Sequence, residues 1–420
     1  MSSCPLQDSV VDRIILHVDR VGVHGVPAAA CSAATVFIAD TFAVGIAGSV
    51  APWRSEILDL LISAGGTPES TVFGGGERLP LMHAAMLNAY QIHAQEFDCV
   101  HENAVVHPMA ATLPVLLGWA ERDGGVSGAL LIRATVVAVD VAATLGLCSR
   151  APMRFFRPAN ASGFGATVGL AILAGLDPTR LRDAIGIYYG QCSGTMQAHA
   201  EGTPQLAMQM GFAARSAVTA IELARRGMPG PQAPVSGEFG YFALFEGMVD
   251  AAPFDELGHS WRIAELSHKP FPSGRATHGG IDALQRMMAR DGVTAKRILA
   301  ARFRVPPLTA RLINRPVTES MTPGYARLCL QYVGAVCDAA LGSPTRPFAA
   351  DAVRAKFEMC WRAVPQLQPE HRVYLWNAVS ALEELEDVRV LAASAAPSRE
   401  EANRRRRPDP YTGRLRDAPH

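Results

Sequence analysis

Two long segments of small, apolar residues constrain the fold of this chain more than any other feature. Residues 30–50 and 127–148 are rich in alanine and glycine, which suits closely packed helices. Each segment also carries charge, at Asp40 in the first and at Arg133 and Asp140 in the second. A membrane span needs about 20 predominantly apolar residues. We therefore interpret both segments as core helices of a soluble protein, with Asp40 as a buried polar exception.

The length of the chain predicts more than one domain, since 420 residues exceed what a single ordinary core holds. The pattern predicts a mainly α fold, with a large all-α helical domain at 1–265. A smaller α+β domain is predicted at 266–368, where apolar residues alternate with arginines over 301–305 and indicate a strand. Residues 369–395 are expected to return to the helical domain, and 396–420 form a polar tail that we expect to be loosely ordered.

Two glycine-rich stretches exclude common nucleotide-binding motifs. The first, TVFGGGERLP at 71–80, has no Lys-Ser/Thr pair after its glycines and is expected to be a flexible turn. The second, SGFGATVG at 162–169, has the wrong glycine spacing for a dinucleotide fingerprint and no strand before it.

Charge and cysteine content favour a cytoplasmic protein over a nucleic-acid-binding, membrane or secreted one. Lys+Arg and Asp+Glu are balanced at 39 each, so no nucleic acid or membrane partner is predicted. The eight cysteines contain no C-x-x-C pair, which fits a reducing compartment. The N-terminus lacks the pattern of a signal peptide.

Residues 88–108 concentrate most of the chemistry that can be read from the sequence. Seven acid–base or thiol side chains lie within this stretch: His93, Glu96, Asp98, Cys99, His101, Glu102 and His107. A solvated helix end that continues into a loop explains such a density without any function. The alternative is a group of acid–base residues facing a cleft, where burial and neighbouring charges adjust their pKa values.

The order of several motifs resembles the MmgE/PrpD family, which includes 2-methylcitrate dehydratase, cis-aconitate decarboxylase and iminodisuccinate epimerase. The resemblance covers roughly residues 35–345. The matching pieces are IADTFAVGIAGS (38–49), TVFGGGERLP with the following Asn88, H-A-x-x-F-D (93–98), His107-Pro108, SGFGATVGLAILAGLD (162–177), E-G-T (201–203), KPFPSGRATH (269–278), and Tyr332 after Arg327. Each piece is weak alone, but their order is fairly specific.

The resemblance implies a helical domain plus an α+β lid, a homodimer, a cleft between the domains, and chemistry without a metal or an organic cofactor. It implies a lyase of the dehydratase or decarboxylase type, which removes a proton α to a carboxylate of a small di- or tricarboxylic acid. The alternatives are an epimerase or isomerase of a similar polycarboxylate, and a non-catalytic carboxylate-binding homologue.

The chain departs from the family pattern at several positions. In H-A-x-D-F-D-D-T the family acids are replaced by Glu96 and Cys99, and F-H-P becomes F-R-P with Arg157. In T-x-x-K the lysine is replaced by Leu206. Either the substrate differs, or the missing groups come from elsewhere, for example from His101, His199 or Gln209.

Three residues of the KPFPSGRATH motif are candidates for the site. Lys269 and Arg275 could clamp carboxylates, the arginine through two parallel hydrogen bonds. His278 could be a general acid or base, because an unperturbed histidine titrates near working pH. The alternative is a surface loop of the lid that leads into a helix.

The acid–histidine stretch supplies the other catalytic candidates. His107 is an acid–base candidate or a histidine bonded to backbone, and Asp98 and Glu96 could orient His107 or His101, bind a substrate hydroxyl, or accept structural hydrogen bonds. The thiol of Cys99 is expected to be a packing group rather than a nucleophile.

Four residues outside these two groups complete the candidate set. Arg157 is expected to bind a substrate carboxylate or form a structural salt bridge, and Tyr332 to donate a proton or pack in the core. His93 and Asn88 are substrate-binding candidates by resemblance. His93-x-x-Glu96, with Asp98, His101 and His107, also offers enough ligands for a metal, although no metal is expected from the resemblance.

Overall fold

A computed structural model of the chain describes residues 9–294, 297–298, 300–336 and 348–396. Helices account for most of these residues, which confirms the prediction of a mainly α fold. The α-helices are α1 (Ser9–His24), α2 (Ala28–Ala47), α3 (Arg54–Ser63), α4 (Leu81–His93), α5 (Pro108–Asp123), α6 (Gly128–Cys148), α7 (Arg157–Leu173), α8 (Pro178–Tyr189), α9 (Gln197–Glu201), α10 (Gln205–Arg225), α11 (Arg275–Asp291), α12 (Pro307–Ile313), α13 (Pro323–Arg327), α14 (Leu330–Val336), α15 (Ala350–Arg362), α16 (Pro369–Ser380) and α17 (Arg389–Ser394). Short 3-10 or π turns lie at Gly48–Val50, Phe242–Glu246, Ala252–Glu256, Arg262–Glu265 and Leu382–Glu384.

The centre of the helical body is the pair α6 and α7, with α4, α5 and α10 packed around it. The two central helices approach closely because small residues face each other. A Cβ atom added to Gly165 of α7 would lie 2.2 Å from the carbonyl oxygen of Ala138 on α6. The glycines at 162–169 therefore serve helix packing, in agreement with the rejection of a dinucleotide motif.

Helices α2 and α6 are long and apolar enough to cross a bilayer by length and composition alone, but most of each helix is buried in this fold. The acid in each helix is also buried and has partners. Asp140 Oδ2 accepts a hydrogen bond from His17 Nε2 (3.1 Å), and its Oδ1 accepts one from the backbone N–H of Arg262 (2.8 Å). Asp40 Oδ1 lies 2.8 Å from Nζ of Lys356 on α15. Buried acids with such partners are typical of core helices in a folded domain.

The TVFGGGERLP stretch is more ordered than the flexible turn that the sequence predicted. Strand β1 (Ser70–Thr71) pairs antiparallel with β2 (Arg78–Leu79), so the glycines form the turn of a small hairpin. Asn88 holds this hairpin, because its Oδ1 accepts from the backbone N–H of Phe73 and its Nδ2 donates to the carbonyl of Thr71, both at 2.9 Å. The buried amide of Asn88 is thus engaged with backbone groups.

The predicted strand at 301–305 is wrong. These residues have no regular secondary structure, and no described strand runs beside them to accept the hydrogen bonds of a β-ladder. Alternation of apolar and charged residues also arises in an irregular segment that covers other elements. Here Phe303 lies against Gly280 of α11 and Gly334 of α14, while Arg302 and Arg304 are exposed.

We propose that the chain divides near residue 266, as the sequence suggested when it placed the lid at 266–368 and the return to the helical body at 369–395. A small hydrophobic cluster of Phe271, Ile281 and Val333 is separate from the main core and supports this division. Helices α15 and α16 both pack against α2, and α17 packs against α5, so we propose that the return to the helical body begins at α15 rather than at residue 369. Residues from 397 onward, which include nearly all of the predicted tail, lie outside the described residues.

Substitution Lys356→Met is expected to lower the free energy of unfolding by about 3–5 kcal/mol, because it removes the lysine cation from the buried carboxylate of Asp40. Urea unfolding followed by circular dichroism measures this change. The control Arg362→Met lies on the same helix, where the side chain is 72% exposed, and is expected to cost less than about 1 kcal/mol. Equal effects of the two substitutions would contradict a structural role for the buried pair.

Candidate active site

The acid–histidine stretch forms the connection between α4 and α5. His93 is the last residue of α4, and His107 immediately precedes Pro108, the first residue of α5. Between them the backbone of Glu96 has a positive φ of 53°, which is uncommon for a residue with a side chain. Isolated β-bridges from Val100 to Ser267 and from His101 to Val106 hold the rest of the connection. The sequence thus brings two helix ends together and turns their side chains toward one another.

The centre of the site is the carboxylate of Asp98, which two histidines share. Oδ2 of Asp98 lies 3.0 Å from Nδ1 of His93 and 3.1 Å from Nδ1 of His107. The two imidazole rings meet nearly edge to face, with centroids 4.8 Å apart. Asp98 is fully buried, so these contacts take the place of water as partners of its charge.

A lysine from the predicted lid completes this group. Lys269 Nζ donates to Glu96 Oε2 (2.9 Å) and to the Glu96 carbonyl (3.2 Å), and lies 3.8 Å from Asp98 Oδ1. His93 Nε2 is 3.7 Å from Glu96 Oε1. We call these five residues, His93, Glu96, Asp98, His107 and Lys269, the central cluster. Its carboxylates and its lysine are all at least nine-tenths buried.

The charges in the central cluster set the protonation states of its acids. Burial alone raises the pKa of both carboxyl groups, but nearby cations outweigh it. Lys269, then His93 and His107, lower the pKa of Glu96 to about 2. His107, His93 and Lys269 hold the pKa of Asp98 well below its ordinary value. Both side chains are therefore carboxylates at neutral pH.

The two histidines differ in protonation although they share one carboxylate. Burial lowers the pKa of His93, but Asp98 and Glu96 more than compensate, and the net pKa is raised. Burial and the positive charge of Lys269 both lower the pKa of His107. Together they outweigh Asp98, which raises it, and the net pKa is lowered. At neutral pH the lowered pKa leaves the His107 ring neutral, with a nitrogen that can accept a proton, and the raised pKa of His93 favours its protonated, proton-donating form.

The hydrogen bonds of His107 indicate which ring nitrogen is available. Its Nδ1 lies 3.0 Å from the carbonyl oxygen of Cys99 and 3.1 Å from Asp98, both of which only accept hydrogen bonds. In the neutral ring the proton therefore resides on Nδ1, and Nε2 carries a lone pair. On His93, Nδ1 faces Asp98, and the buried Nε2 has no hydrogen-bond partner among the described residues.

A cavity of about 210 Å³ opens onto this group. Its lining includes His93, Glu96 and His107 from the central cluster, Arg275 from the start of α11, and His199 from α9. Much of the remaining wall is apolar, which is typical of small-molecule sites with a few polar groups that fix orientation.

Two of the three predicted residues of the KPFPSGRATH motif reach this region. Lys269 belongs to the central cluster and Arg275 lines the cavity, where its Nη2 donates to Glu102 Oε1 (3.0 Å). His278 is buried beside Arg275, with Nδ1 at 3.1 Å from Arg275 Nη1. Burial, with Arg275 and Lys269, holds the pKa of His278 well below its ordinary value, so the ring is neutral. This neutral histidine supports the guanidinium group of Arg275.

Other predicted residues lie elsewhere. Arg157 forms the structural salt bridge that was its alternative role, with Nη2 at 2.8 Å from the buried Glu246. His101 binds Glu265, with Nε2 at 2.8 Å from Oε2, and does not line the cavity. Tyr332 is 40% exposed on α14 and also lies off the cavity.

Cys99 is fully buried, and burial, with Asp40 and Asp98, raises the pKa of its thiol well above the ordinary value. The thiol is therefore protonated at neutral pH. This protonation fits the expected packing role, since thiolate is the nucleophilic form.

Three further polar residues approach the site. His199 was considered as a replacement group, and the structure places it on the cavity wall. Arg315 Nη2 lies 2.9 Å from His199 Nδ1, and burial together with Arg315 lowers the pKa of His199 to about 4. Arg327 stands beside Ala94, with Nη1 donating to its carbonyl (2.9 Å). Arg315 belongs to none of the motifs, and Arg327 entered the resemblance only as the residue that precedes Tyr332, so sequence reasoning gave neither arginine a role.

Within the part of the chain that the structure describes, His93, Asp98 and His107 are the one group whose ligand atoms are arranged to hold a metal ion, all within 4.8 Å of one another. His101, which the sequence offered as a further ligand, binds Glu265 instead. Nδ1 of His93 and Nδ1 of His107 both face Oδ2 of Asp98. Two hydrogen bonds donated to one carboxylate oxygen produce the same arrangement without a metal. The metal alternative is therefore included in the binding experiment below.

Comparisons with known proteins agree on one family. The model of the MmgE/PrpD N-terminal domain matches residues 13–253. The chain is 29% identical over 317 residues to cis-aconitate decarboxylase of Homo sapiens, an alignment that covers 70% of this chain and 63% of the relative. Cis-aconitate decarboxylase of Aspergillus terreus is 25% identical over 300 residues, which cover 68% of this chain and 61% of the relative. The chain thus spans a little less than two thirds of the length of these relatives.

The two histidines of the central cluster are expected to titrate apart. Because the pKa of His93 is raised and that of His107 is lowered, His93 gains its proton first as the pH falls, in two macroscopic steps. Long-range ¹H–¹⁵N spectra of the histidine-labelled chain, assigned with His93→Gln and His107→Gln, measure both steps. Coincident titration of the two rings near pH 6.5 would contradict the assignment of donor and acceptor.

The carboxylate of Glu96 is expected to make stability depend on acid pH. Its folded pKa of about 2 lies below the ordinary 4.5, so its contribution is complete above pH 4.5 and is lost as the pH falls toward 2. Relative to Glu96→Gln, the wild-type chain should lose on the order of 2 kcal/mol of unfolding free energy between pH 5 and pH 3. Urea titrations at pH 5, 4 and 3 measure this difference, and parallel pH profiles for the two proteins would disprove the ion pair with Lys269.

Proposed function

Because the chain belongs to the MmgE/PrpD family, we propose that it is a lyase that acts on a small di- or tricarboxylic acid. Decarboxylation is the favoured reaction, since the relatives described above are named cis-aconitate decarboxylases. The observation that carries the proposal is the histidine pair His93 and His107, which shares one carboxylate and lines a cavity with Arg275.

His107 is the proposed general base. Its lowered pKa keeps the ring neutral, and its Nδ1 proton is committed to Cys99 and Asp98. The Nε2 lone pair can therefore accept a proton from the carbon next to a substrate carboxylate. Asp98 fixes the orientation of the ring and stabilises the imidazolium that forms, which is the usual role of a carboxylate behind a catalytic histidine.

His93 is the proposed proton donor. For loss of water, His107 removes the α-proton and His93 protonates the departing hydroxide. For loss of carbon dioxide, the electron pair of the broken carbon–carbon bond stays on the substrate carbon, and protonated His93 delivers the proton that this carbon requires. The raised pKa of His93 suits it to both reactions.

The cations of the site are proposed to stabilise negative charge on the substrate. Removal of an α-proton places charge on the adjacent carboxylate, and fixed cations in a water-poor cavity oppose this cost most effectively. Arg275 presents a guanidinium group to the cavity and is now paired with the half-exposed Glu102, which a substrate carboxylate can displace. Lys269 stays with Glu96 and Asp98 and keeps both in the charged form.

These steps use side chains of the chain alone, so the proposal requires no metal or organic cofactor. A homodimer remains part of the proposal by resemblance to the family, and a cytoplasmic location remains part of it because of the cysteine pattern. An epimerase would exchange the α-proton with solvent and release no product fragment, and a binding protein would do neither, so both alternatives are separable by experiment.

The first test is ligand binding and turnover on a panel that contains citrate, 2-methylcitrate, cis-aconitate and iminodisuccinate. Thermal shift with and without a chelator identifies binders, because a ligand at a hundredfold excess over its Kd stabilises by about 2.7 kcal/mol. Proton NMR in deuterated water then reports decarboxylation, dehydration, exchange without elimination, or no reaction. If the folded protein neither binds nor converts any of these acids, the proposal is wrong. If the chelator abolishes the stabilisation, a metal takes part in binding.

His107→Gln is expected to lower kcat for dehydration or α-proton exchange by about 10²- to 10⁴-fold, because it removes the general base while leaving the carboxylate-binding cations in place. For decarboxylation, in which no α-proton is removed, the same loss is expected of His93→Gln, which removes the proton donor. The thermal shift produced by the substrate should therefore remain. His24→Gln, at an exposed position at the end of α1, is the control and should leave kcat unchanged. Full dehydration or exchange activity of the His107 variant would assign the base elsewhere, and full decarboxylation by His93→Gln would assign the proton donor elsewhere.

A further inference from the structure

A second cavity lies against the central cluster and is not used by the mechanism above. Its volume is about 230 Å³, and His93 and Glu96 line it as well as the first cavity. Apolar groups form much of the wall, including Pro52, Leu206 and Ala207. These two cluster residues thus stand between two spaces of similar size.

One guanidinium group breaks the apolar wall of this second cavity. Arg327, the last residue of α13, lines the cavity and donates from Nη1 to the carbonyl of Ala94. Among the described residues, no carboxylate lies within ion-pair distance of Arg327. Glu96, the acid that shares this cavity, binds Lys269 instead. Burial lowers the pKa of Arg327 and outweighs the opposing charge of Glu96, which expresses the cost of holding this cation in a largely apolar wall.

The two cavities are adjacent along the chain as well as in space. Arg327 lines the second cavity, and the next residue, Leu328, lines the first. The carbonyl of Arg327 accepts a hydrogen bond from the backbone N–H of Gly274 (3.0 Å), which precedes Arg275. This hydrogen bond joins the backbone segments that carry Arg327 and Arg275, and each arginine places its side chain at a different cavity.

The segment that carries Arg327 is also fixed to the helical body. Thr322 caps α13 and donates from Oγ1 to the carbonyl of Gly202 (2.9 Å). Gly202 has a positive φ of 68°, and a Cβ atom there would lie 2.4 Å from the backbone of Tyr325. These contacts hold the backbone that carries Arg327, and the hydrogen bond to Ala94 orients its guanidinium group, which reduces the ordering required when an anion binds.

We propose that the second cavity is a carboxylate subsite, in which Arg327 binds an anionic group and the apolar wall holds the carbon atoms attached to it. A cation without an anionic partner, in an apolar and pre-formed space, gains a charge-assisted hydrogen bond when a carboxylate enters. The carboxylate is either the far end of the substrate or that of a second small acid. The inference rests on the proposed function for the chemistry of the first cavity.

The test compares Arg327→Gln with Arg275→Gln and with the control Arg290→Gln, whose side chain is 71% exposed on α11. Isothermal titration measures the affinity and stoichiometry of matched mono- and dicarboxylates of equal chain length. Loss of the Arg327 contact should weaken carboxylate binding about tenfold to a hundredfold, whereas the control should bind as the wild type does. Arg327→Lys, which keeps the charge, should recover part of the affinity.

The pattern of losses distinguishes the two sources of the carboxylate. If the far end of one substrate occupies the subsite, the stoichiometry stays at one, and Arg327→Gln weakens dicarboxylates while monocarboxylates bind as before. If a second acid binds there, the wild type takes up two molecules and the variant one. In both cases Leu206→Glu should mimic the loss, because it places a carboxylate in the cavity that the intact Arg327 lines.

Failure of this inference can be told from failure of the proposed function. Suppose that carboxylates bind, that Arg275→Gln lowers their affinity, and that a folded Arg327→Gln protein binds them as the wild type does. The subsite is then wrong, and the proposed function of the first cavity is retained. If the wild-type chain binds no carboxylate, both are overturned. Thermal unfolding without ligand verifies that each variant is folded.

Discussion

The buried carboxylate of Asp98 is the interaction on which the rest of the site depends. An isolated charge in this position would cost several kcal/mol, so it persists because two histidines and a lysine surround it. The same contacts orient both imidazole rings. Removing any partner changes the protonation of the others, and the central cluster therefore acts as one unit rather than as separate groups.

A second buried ion pair, between Lys356 and Asp40, contacts the backbone next to the central cluster. Lys356 pairs with Asp40 and also donates to the carbonyl of Phe97 (2.9 Å), which lies between the two acids of the central cluster. Asp40 also faces His268, at 3.5 Å from its Nδ1, and His268 is the neighbour of Lys269 in the chain. The lysine of the site and its carboxylates are thus held from the same point on α2, which explains why an apolar helix retains an acid.

The sequence predicted local structure well where one element could be read by itself. The alanine- and glycine-rich segments 30–50 and 127–148 were recognisable as core helices from residue type alone, and they form α2 and α6. It failed at 301–305, because a strand depends on a neighbour that the pattern of one segment cannot reveal. Arg157 shows the same limit: its partner Glu246 is 89 residues away, so a substrate-binding role and a salt bridge looked alike.

The sequence by itself determined the helical character of the chain, its membership by resemblance in one family, and the stretch in which acids and histidines are concentrated. These are local properties, set by residue spacing and type. Only the tertiary structure decided which members of that stretch meet, since Lys269 reaches Glu96 across 173 positions while His101 turns to Glu265. It also decided the contrast between His93 and His107, because a pKa depends on burial and on charges brought together by packing, and neither is written in the order of residues.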